Sequence, residues 1–331
     1  MNITSNIFFV TYYKRKKCYI IPFMRILLFL FLFSFIQISF AQEIIAPKYV
    51  KLAIANDLVD KTDYYFTSGL ALTINHPVLH KNPFNKLIPS LPSATDKVFG
   101  ISIIQDIYTP IEVDTLKFVA NDRPFVATLM LNMQKTSFLP KRKLRLYSGL
   151  EVGFIGNIAL GEQAQNGFHN LIHNNIYKGW YNQLDNKLLL NYEFELQKGL
   201  HMNKNNQFIG TIEAMAGNLR TNLGLGYLWR FGRLSPYFES YTYTKGKQKF
   251  YFSFFLDVKF KLILFDATLI QSNNSINKPS YSLNNFLFHS RAGISFMYQR
   301  FSIMFIQNFL SPEFSTGFTH RYGSLELSYR F

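Results

Sequence analysis

The chain has 331 residues, a formal net charge of +15, and equal shares, 17%, of aromatic and charged residues, with 35 Phe and 20 Tyr among them. Its mean hydropathy of +0.01 excludes a bundle of transmembrane helices, each of which would need an apolar run of about 20 residues. Many aromatics at neutral hydropathy fit strands that alternate lipid-facing and lumen-facing side chains, so the expected fold is all-β, a transmembrane antiparallel β-barrel.

Residues 1–41 carry Lys14, Arg15, Lys16, Lys17 and Arg25 and no acid, which leaves +10 for the rest. From Met24, an alternative start, Arg25 precedes the apolar run Ile26–Phe33, and Ser39-Phe40-Ala41 is a small-x-small cleavage site. The reading is a signal peptide over 1–41 and a barrel domain over 42–331. The apolar run is short for a membrane anchor. Cys18, the only cysteine, falls in the leader, so the mature chain has no thiol nucleophile, disulfide or Cys-bound zinc. A basic barrel exterior points to anionic lipid head groups and not to nucleic acid.

After Gln42 the dominant period is two. Strands are predicted near 48–57, 65–75, 97–108, 124–134, 144–156, 187–198, 207–217, 222–232, 250–272, 286–298, 300–309 and 322–331, twelve in all. Counting 235–244 and splitting 250–272 would make fourteen. The last strand is the clearest: Leu325, Leu327, Tyr329 and Phe331 share one face, Ser324, Glu326, Ser328 and Arg330 the other. With both termini on the periplasmic side, the connections 58–64, 109–123, 157–186 and 273–285 face outward, where loops are longer. The long segments 76–96 and 233–249 then fall on the periplasmic side, against that trend.

Four polar groups fall at the outer end. Ala55-Asn56-Asp57 ends the first strand; alternation turns Asp57 to the lumen and leaves Asn56 on the apolar parity. Thr67 opens the second strand with the inward parity, close to Asp57, while Phe66 has the outward one. An Asn-Asp pair ending a strand and a polar lumen residue are each ordinary features. Asp122-Arg123 flanks the second outer loop; Arg123 offers a planar fork to phosphate or braces the rim. In the third outer loop Gln165 and His169 stand four apart, and His169 is a candidate general base. His173 follows at the same spacing, but no HExxH motif accompanies it.

Taken in order, Ala55-Asn56-Asp57, Thr62-Asp63 with Phe66-Thr67 and Gly69, Gln105-Asp106-Ile107-Tyr108-Thr109-Pro110, Asp122-Arg123-Pro124-Phe125, Gly161-Glu162 with Gln165-Asn166 and His169, and Gly179-Trp180 with Gln183-Leu184 and Asn186 resemble the lipid A 3′-O-deacylase family of outer-membrane enzymes. The match spans predicted strands one to six; the second half matches only as generic barrel strands. The resemblance implies a monomeric twelve-stranded barrel in the bacterial outer membrane that hydrolyses an ester-linked 3′-acyloxyacyl chain of lipid A with calcium. His169 matches the family's catalytic base. Asn56, Asp57 and Thr67 match other essential site residues. By this resemblance Asp57, Thr67 and Gln165 are metal ligands or orienters, and Asn56 donates to the oxyanion. Arg123 and Lys117 are the candidate substrate contacts. Lys187 and Val126-Ala127 depart from the family pattern. A porin, a structural barrel or an outer-membrane phospholipase would share the fold; a porin would leave Asn56, Asp57, Thr67 and His169 without a role.

Overall fold

The period-two pattern closes on itself. In the computed structural model, which describes residues 48–57, 64–94, 96–113, 119–173, 175–240, 250–269 and 280–331, twelve strands follow one another. They are β1 (Tyr49–Asn56), β2 (Tyr65–Asn75), β3 (Asp96–Thr109), β4 (Val126–Leu139), β5 (Leu144–Ile155), β6 (Lys187–Met202), β7 (Asn206–Gly217), β8 (Arg220–Arg233), β9 (Phe250–Asp266), β10 (Phe286–Tyr298), β11 (Phe301–Leu310) and β12 (His320–Arg330). Each pairs antiparallel with its neighbours in sequence, and β1 closes on β12 with Tyr49 opposite Arg330 and Asn56 opposite Gly323. The predicted strand 250–272 is a single strand ending at Asp266, and 235–240 is not a strand, so the count is twelve. The leader lies outside the described residues.

Alternation assigns the two faces. On β2, Leu70, Leu72 and Ile74 are exposed, whereas Thr73 and Asn75 are buried. Thr73 Oγ1 lies 2.9 Å from Ser102 Oγ on the inner side. Ile103 of β3 and its cross-strand partner Leu131 of β4 are exposed on the outer side. Leu223, Leu225, Phe254 and Phe260 extend the same apolar belt. So much exposed Leu and Phe suits hydrocarbon and not water. The interior is polar and paired. Lys259 lies 2.6 Å from Glu195 and 2.7 Å from Glu213, and Lys261 lies 2.6 Å from Glu213. Arg220 bonds Asp266 at 2.9 Å and the Tyr108 hydroxyl at 2.7 Å. Charges withdrawn from water persist where they are matched in this way.

The two ends differ. At the end that carries the termini, three of the connections are tight, at 140–143, 203–205 and 299–300. At the opposite end only 218–219 is tight, and 57–64, 110–125, 156–186, 267–285 and 311–319 are longer. The two long terminal-end segments have separate destinations. Residues 235–240 turn into the barrel, where the Tyr237 hydroxyl donates to Gln197 at 2.8 Å and accepts from Arg145 at 3.2 Å. Residues 76–94 fold back over the outer face. The opposite end is roofed: Phe314, Tyr65 and Leu269 pack together, and Ser280 donates its N–H to the Ala120 carbonyl at 2.6 Å.

Candidate functional site

At the loop-rich end, β2 departs from simple alternation. Phe66 faces Tyr108 and Ser68 faces Ile107, so Thr67 is an extra residue with no partner on β3. Such a bulge re-aims side chains at the rim of a barrel. Phe66 is thereby turned inward and the Thr67 hydroxyl toward Thr109, which has the outward parity of Ile107, both contrary to the parity read from sequence. Its ring packs on Tyr108 and Tyr322, and a Cβ on Gly69 would lie 2.6 Å from its Cζ. The Thr67 hydroxyl lies 2.6 Å from that of Thr109 at the end of β3, and the Thr67 carbonyl accepts from Asn56 Nδ2 at 2.8 Å. Asp57 follows directly and is 1% exposed. Asn56, Thr67 and Thr109 therefore form one hydrogen-bonded group beside the buried Asp57, and the bulge in β2 makes it.

The third loop carries Gln165 and His169. Helix α1 (Gly161–Ile172) leaves β5 after a 3₁₀ turn at Asn157–Ala159. Its buried residues are Gly161, Gln165 and His169, one per turn, while Phe168 and Leu171 are about half exposed. The helix is thus inverted, with a polar stripe inward and apolar side chains outward. It lies against the outside of the barrel. Ile107 and Ala127 share the outward parity of Ile103 and Leu131, yet they are buried in a cluster with Ala159, Tyr177, Trp180 and Phe125. Gln105, also on that outer face, donates to the Ala159 carbonyl at 2.7 Å. The run Gln105–Thr109 therefore serves two sides: Gln105 and Ile107 hold the helix, and Asp106 and Tyr108 face the interior.

Segment 175–180 packs along α1, with Tyr177 and Trp180 in the cluster that holds the helix to the wall. Asn166 donates to the Tyr177 carbonyl at 3.2 Å and accepts from the Tyr177 N–H at 2.9 Å. Trp180 Nε1 donates to Gln165 Oε1 at 2.8 Å, leaving Gln165 Nε2 buried without a partner among the described residues. The His169 ring stands edge-on to Tyr177, and its Nδ1 lies 2.6 Å from the Asn175 carbonyl. A carbonyl oxygen can only accept, so Nδ1 is the donor in this bond and, in the neutral ring, Nε2 is the acceptor. The chain leaves the helix at His173, which is left-handed and exposed, so the two histidines do not share the buried stripe. Among the described residues no three His, Asp, Glu or Cys side chains gather as a metal site.

Arg123 is placed elsewhere, under the roof. It is 1% exposed, donates to Glu313 at 3.0 Å and to Thr268 at 3.2 Å, and lies 4.2 Å from the centroid of Tyr108. The neighbouring Asp122 accepts from the N–H groups of Ile111 and Arg123, at 2.8 and 2.7 Å. Burial outweighs those bonds and raises its carboxyl pKa. Lys117 lies outside the described residues. Sequence reasoning missed Thr109, Asn175, Tyr177 and Trp180 as partners of the site; Gly179-Trp180 and Thr109 were visible only as pieces of motifs.

The sequence model of the outer membrane protein LpxR family matches residues 27–331. The chain belongs to the LpxR family. LpxR proteins are the outer-membrane lipid A deacylases that the motifs resemble, and this chain is accordingly an integral barrel of the outer membrane. The solved LpxR from Salmonella typhimurium is 21% identical, with a TM-score of 0.71 over 86% of this chain and all of that one, and shares the fold. The β domain of the Bordetella autotransporter BrkA is 9% identical with a TM-score of 0.43, covering 86% of this chain and 98% of that one. No curated protein matches.

Proposed function

We propose that this LpxR-family barrel hydrolyses an ester-linked acyl chain of lipid A in a cleft between α1 and the outer wall of the barrel, at the cell-exterior end. The observation that carries this reading is the buried polar stripe of Gln165 and His169 on a helix that is seated on the outer wall at Gly161 and whose free face is apolar. Such a helix fits a membrane surface, and a cleft beneath it opens sideways toward acyl chains. The loop-rich end is the exterior one by the usual asymmetry of these barrels.

In this reading His169 Nε2 takes a proton from water as the water oxygen attacks the ester carbonyl. The C–O bond to the sugar 3′-oxygen then breaks, that oxygen recovers the proton from Nε2, and the acyloxyacyl chain leaves as its free acid. The Nδ1–H bond to the Asn175 carbonyl holds the ring in the tautomer that this step needs. The donors beside Asp57 are oxygens: its carboxylate, the Thr67 and Thr109 hydroxyls and the Thr67 carbonyl. That set suits a hard cation such as calcium, with Asp57 and Thr67 as ligands and Gln165 as an orienter whose oxygen Trp180 already engages. Calcium, when bound, would supply Lewis-acid polarisation of the ester carbonyl. Asn56 is fixed by its bond to Thr67 and lies in the same group. Arg123 braces the roof; Lys117 is the remaining candidate for a phosphate contact.

The deciding experiment is mass spectrometry of lipid A from cells expressing the wild type or His169→Ala. Loss of an acyloxyacyl group with the wild type alone is expected. Unchanged lipid A with both, from barrels shown to be folded in the membrane, would overturn the reading. Full activity in excess chelator would remove calcium from it.

A further inference from the structure

The segment 76–94 is long for the terminal end of a barrel, and its position explains it. Lys135, Ser137 and Ser148 share the outward parity of Leu131 and Met133, yet they are 7%, 0% and 0% exposed. The segment covers them. Lys135 Nζ donates to the carbonyls of Asn85 and Ile88 at 2.8 and 2.6 Å, and Ser137 Oγ accepts from the Leu91 N–H at 2.9 Å. Ile88 is buried against Met133 and Leu150. Two 3₁₀ turns, Pro77–Lys81 and Pro83–Lys86, make the visible surface, each capped by the side chain before it: His76 accepts from Val78 and Asn82 from Phe84. The Asn85 amide ties them together through the Leu79 carbonyl at 2.7 Å.

What this ledge presents is amphipathic. Val78, Phe84 and Leu87 are 54%, 49% and 55% exposed, and Lys81 and Lys86 are exposed between them. The segment holds no acid. The adjacent turn between β4 and β5 adds the exposed Lys141, Arg142 and Lys143. Lys135 lies four residues from the end of β4, or ~13 Å along the strand, and four residues from the exposed Leu131, so the ledge borders the apolar belt.

We propose that the ledge Pro77–Leu87, with the turn Lys141–Lys143, is a binding shelf for anionic phospholipid head groups of the periplasmic leaflet. Val78, Phe84 and Leu87 enter the acyl boundary, and Lys81 and Lys86 pair with lipid phosphates. The polar wall beneath is sealed so that the ledge, and not bare strand, meets the lipid. This shelf is independent of the deacylase reading, since it lies at the other end of the barrel.

The test uses the folded full-length barrel in vesicles of phosphatidylcholine with phosphatidylglycerol, followed by native mass spectrometry of retained lipid. The wild type should retain phosphatidylglycerol over phosphatidylcholine, and each lysine removed should lower that preference about fivefold. Lys81→Gln with Lys86→Gln should therefore lose most of it, Lys81→Arg with Lys86→Arg should keep it, and Lys178→Gln at the opposite end should leave it unchanged. A heat-shifted band on unboiled gels checks that each variant is folded. Equal preference in wild type and the Gln double variant, or no preference in the wild type, would overturn the proposal.

Discussion

His169 and Arg123 are both buried cations or potential cations at the loop-rich end, and their surroundings separate their roles. His169 keeps one ring nitrogen engaged by the Asn175 carbonyl and the other available as a base. Under the proposed reaction His169→Ala should cost about 10²- to 10⁴-fold in kcat while the barrel still forms, as a heat-shifted band would show. Arg123 has its guanidinium committed to Glu313, Thr268 and the Tyr108 face. Arg123→Met strands a half-sheltered carboxylate and should destabilise the roof by ~3 kcal/mol, read as a lower denaturant midpoint. A rise in KM with unchanged stability would instead make Arg123 a substrate contact.

Helix α1 shows what a strand-parity argument can and cannot reach. The strands were legible because burial on one face repeats every second residue, and Leu325 to Phe331 state it plainly. The site was legible only as separate motifs. Parity placed Phe66 outside, but the bulge at Thr67 shifts the phase, and no local residue announces that shift. Nor could alternation show that the outer wall at Ile107 and Ala127 is covered by a helix from a distant loop. The glycine at the start of that helix makes the packing testable. A Cβ at Gly161 would lie 2.4 Å from Ala127 Cβ and 2.5 Å from Trp180 Cη2. Neither the wall nor the buried indole has room to move, so Gly161→Val should lift α1 from the wall. The expected outcome is loss of deacylation with the barrel intact, together with faster proteolysis within 156–186; activity retained at wild-type level would show that the helix need not be seated.

At the scale of the molecule, the same barrel must be either a conduit or a scaffold, and its interior favours the second. The lumen is crossed by matched charges, Lys259 with Glu195 and Glu213, Lys261 with Glu213, and Arg220 with Asp266. One end holds Tyr237 against Arg145 and Gln197, with Phe238 buried nearby; the other is roofed by Phe314, Tyr65 and Leu269. A porin needs a continuous water path, whereas these side chains spend their hydrogen bonds on one another. Purified barrel in planar bilayers should therefore give no steady ion current beyond the lipid baseline. Lys259→Met tests whether the network is what closes it: two carboxylates lose their shared cation, at a cost of ~3 kcal/mol or more, so the variant should unfold at lower denaturant and admit current if repulsion parts the walls. Conductance in the wild type would mean that the interior pairs yield to a water path, and the barrel would then have to be read as a channel as well as a platform for α1.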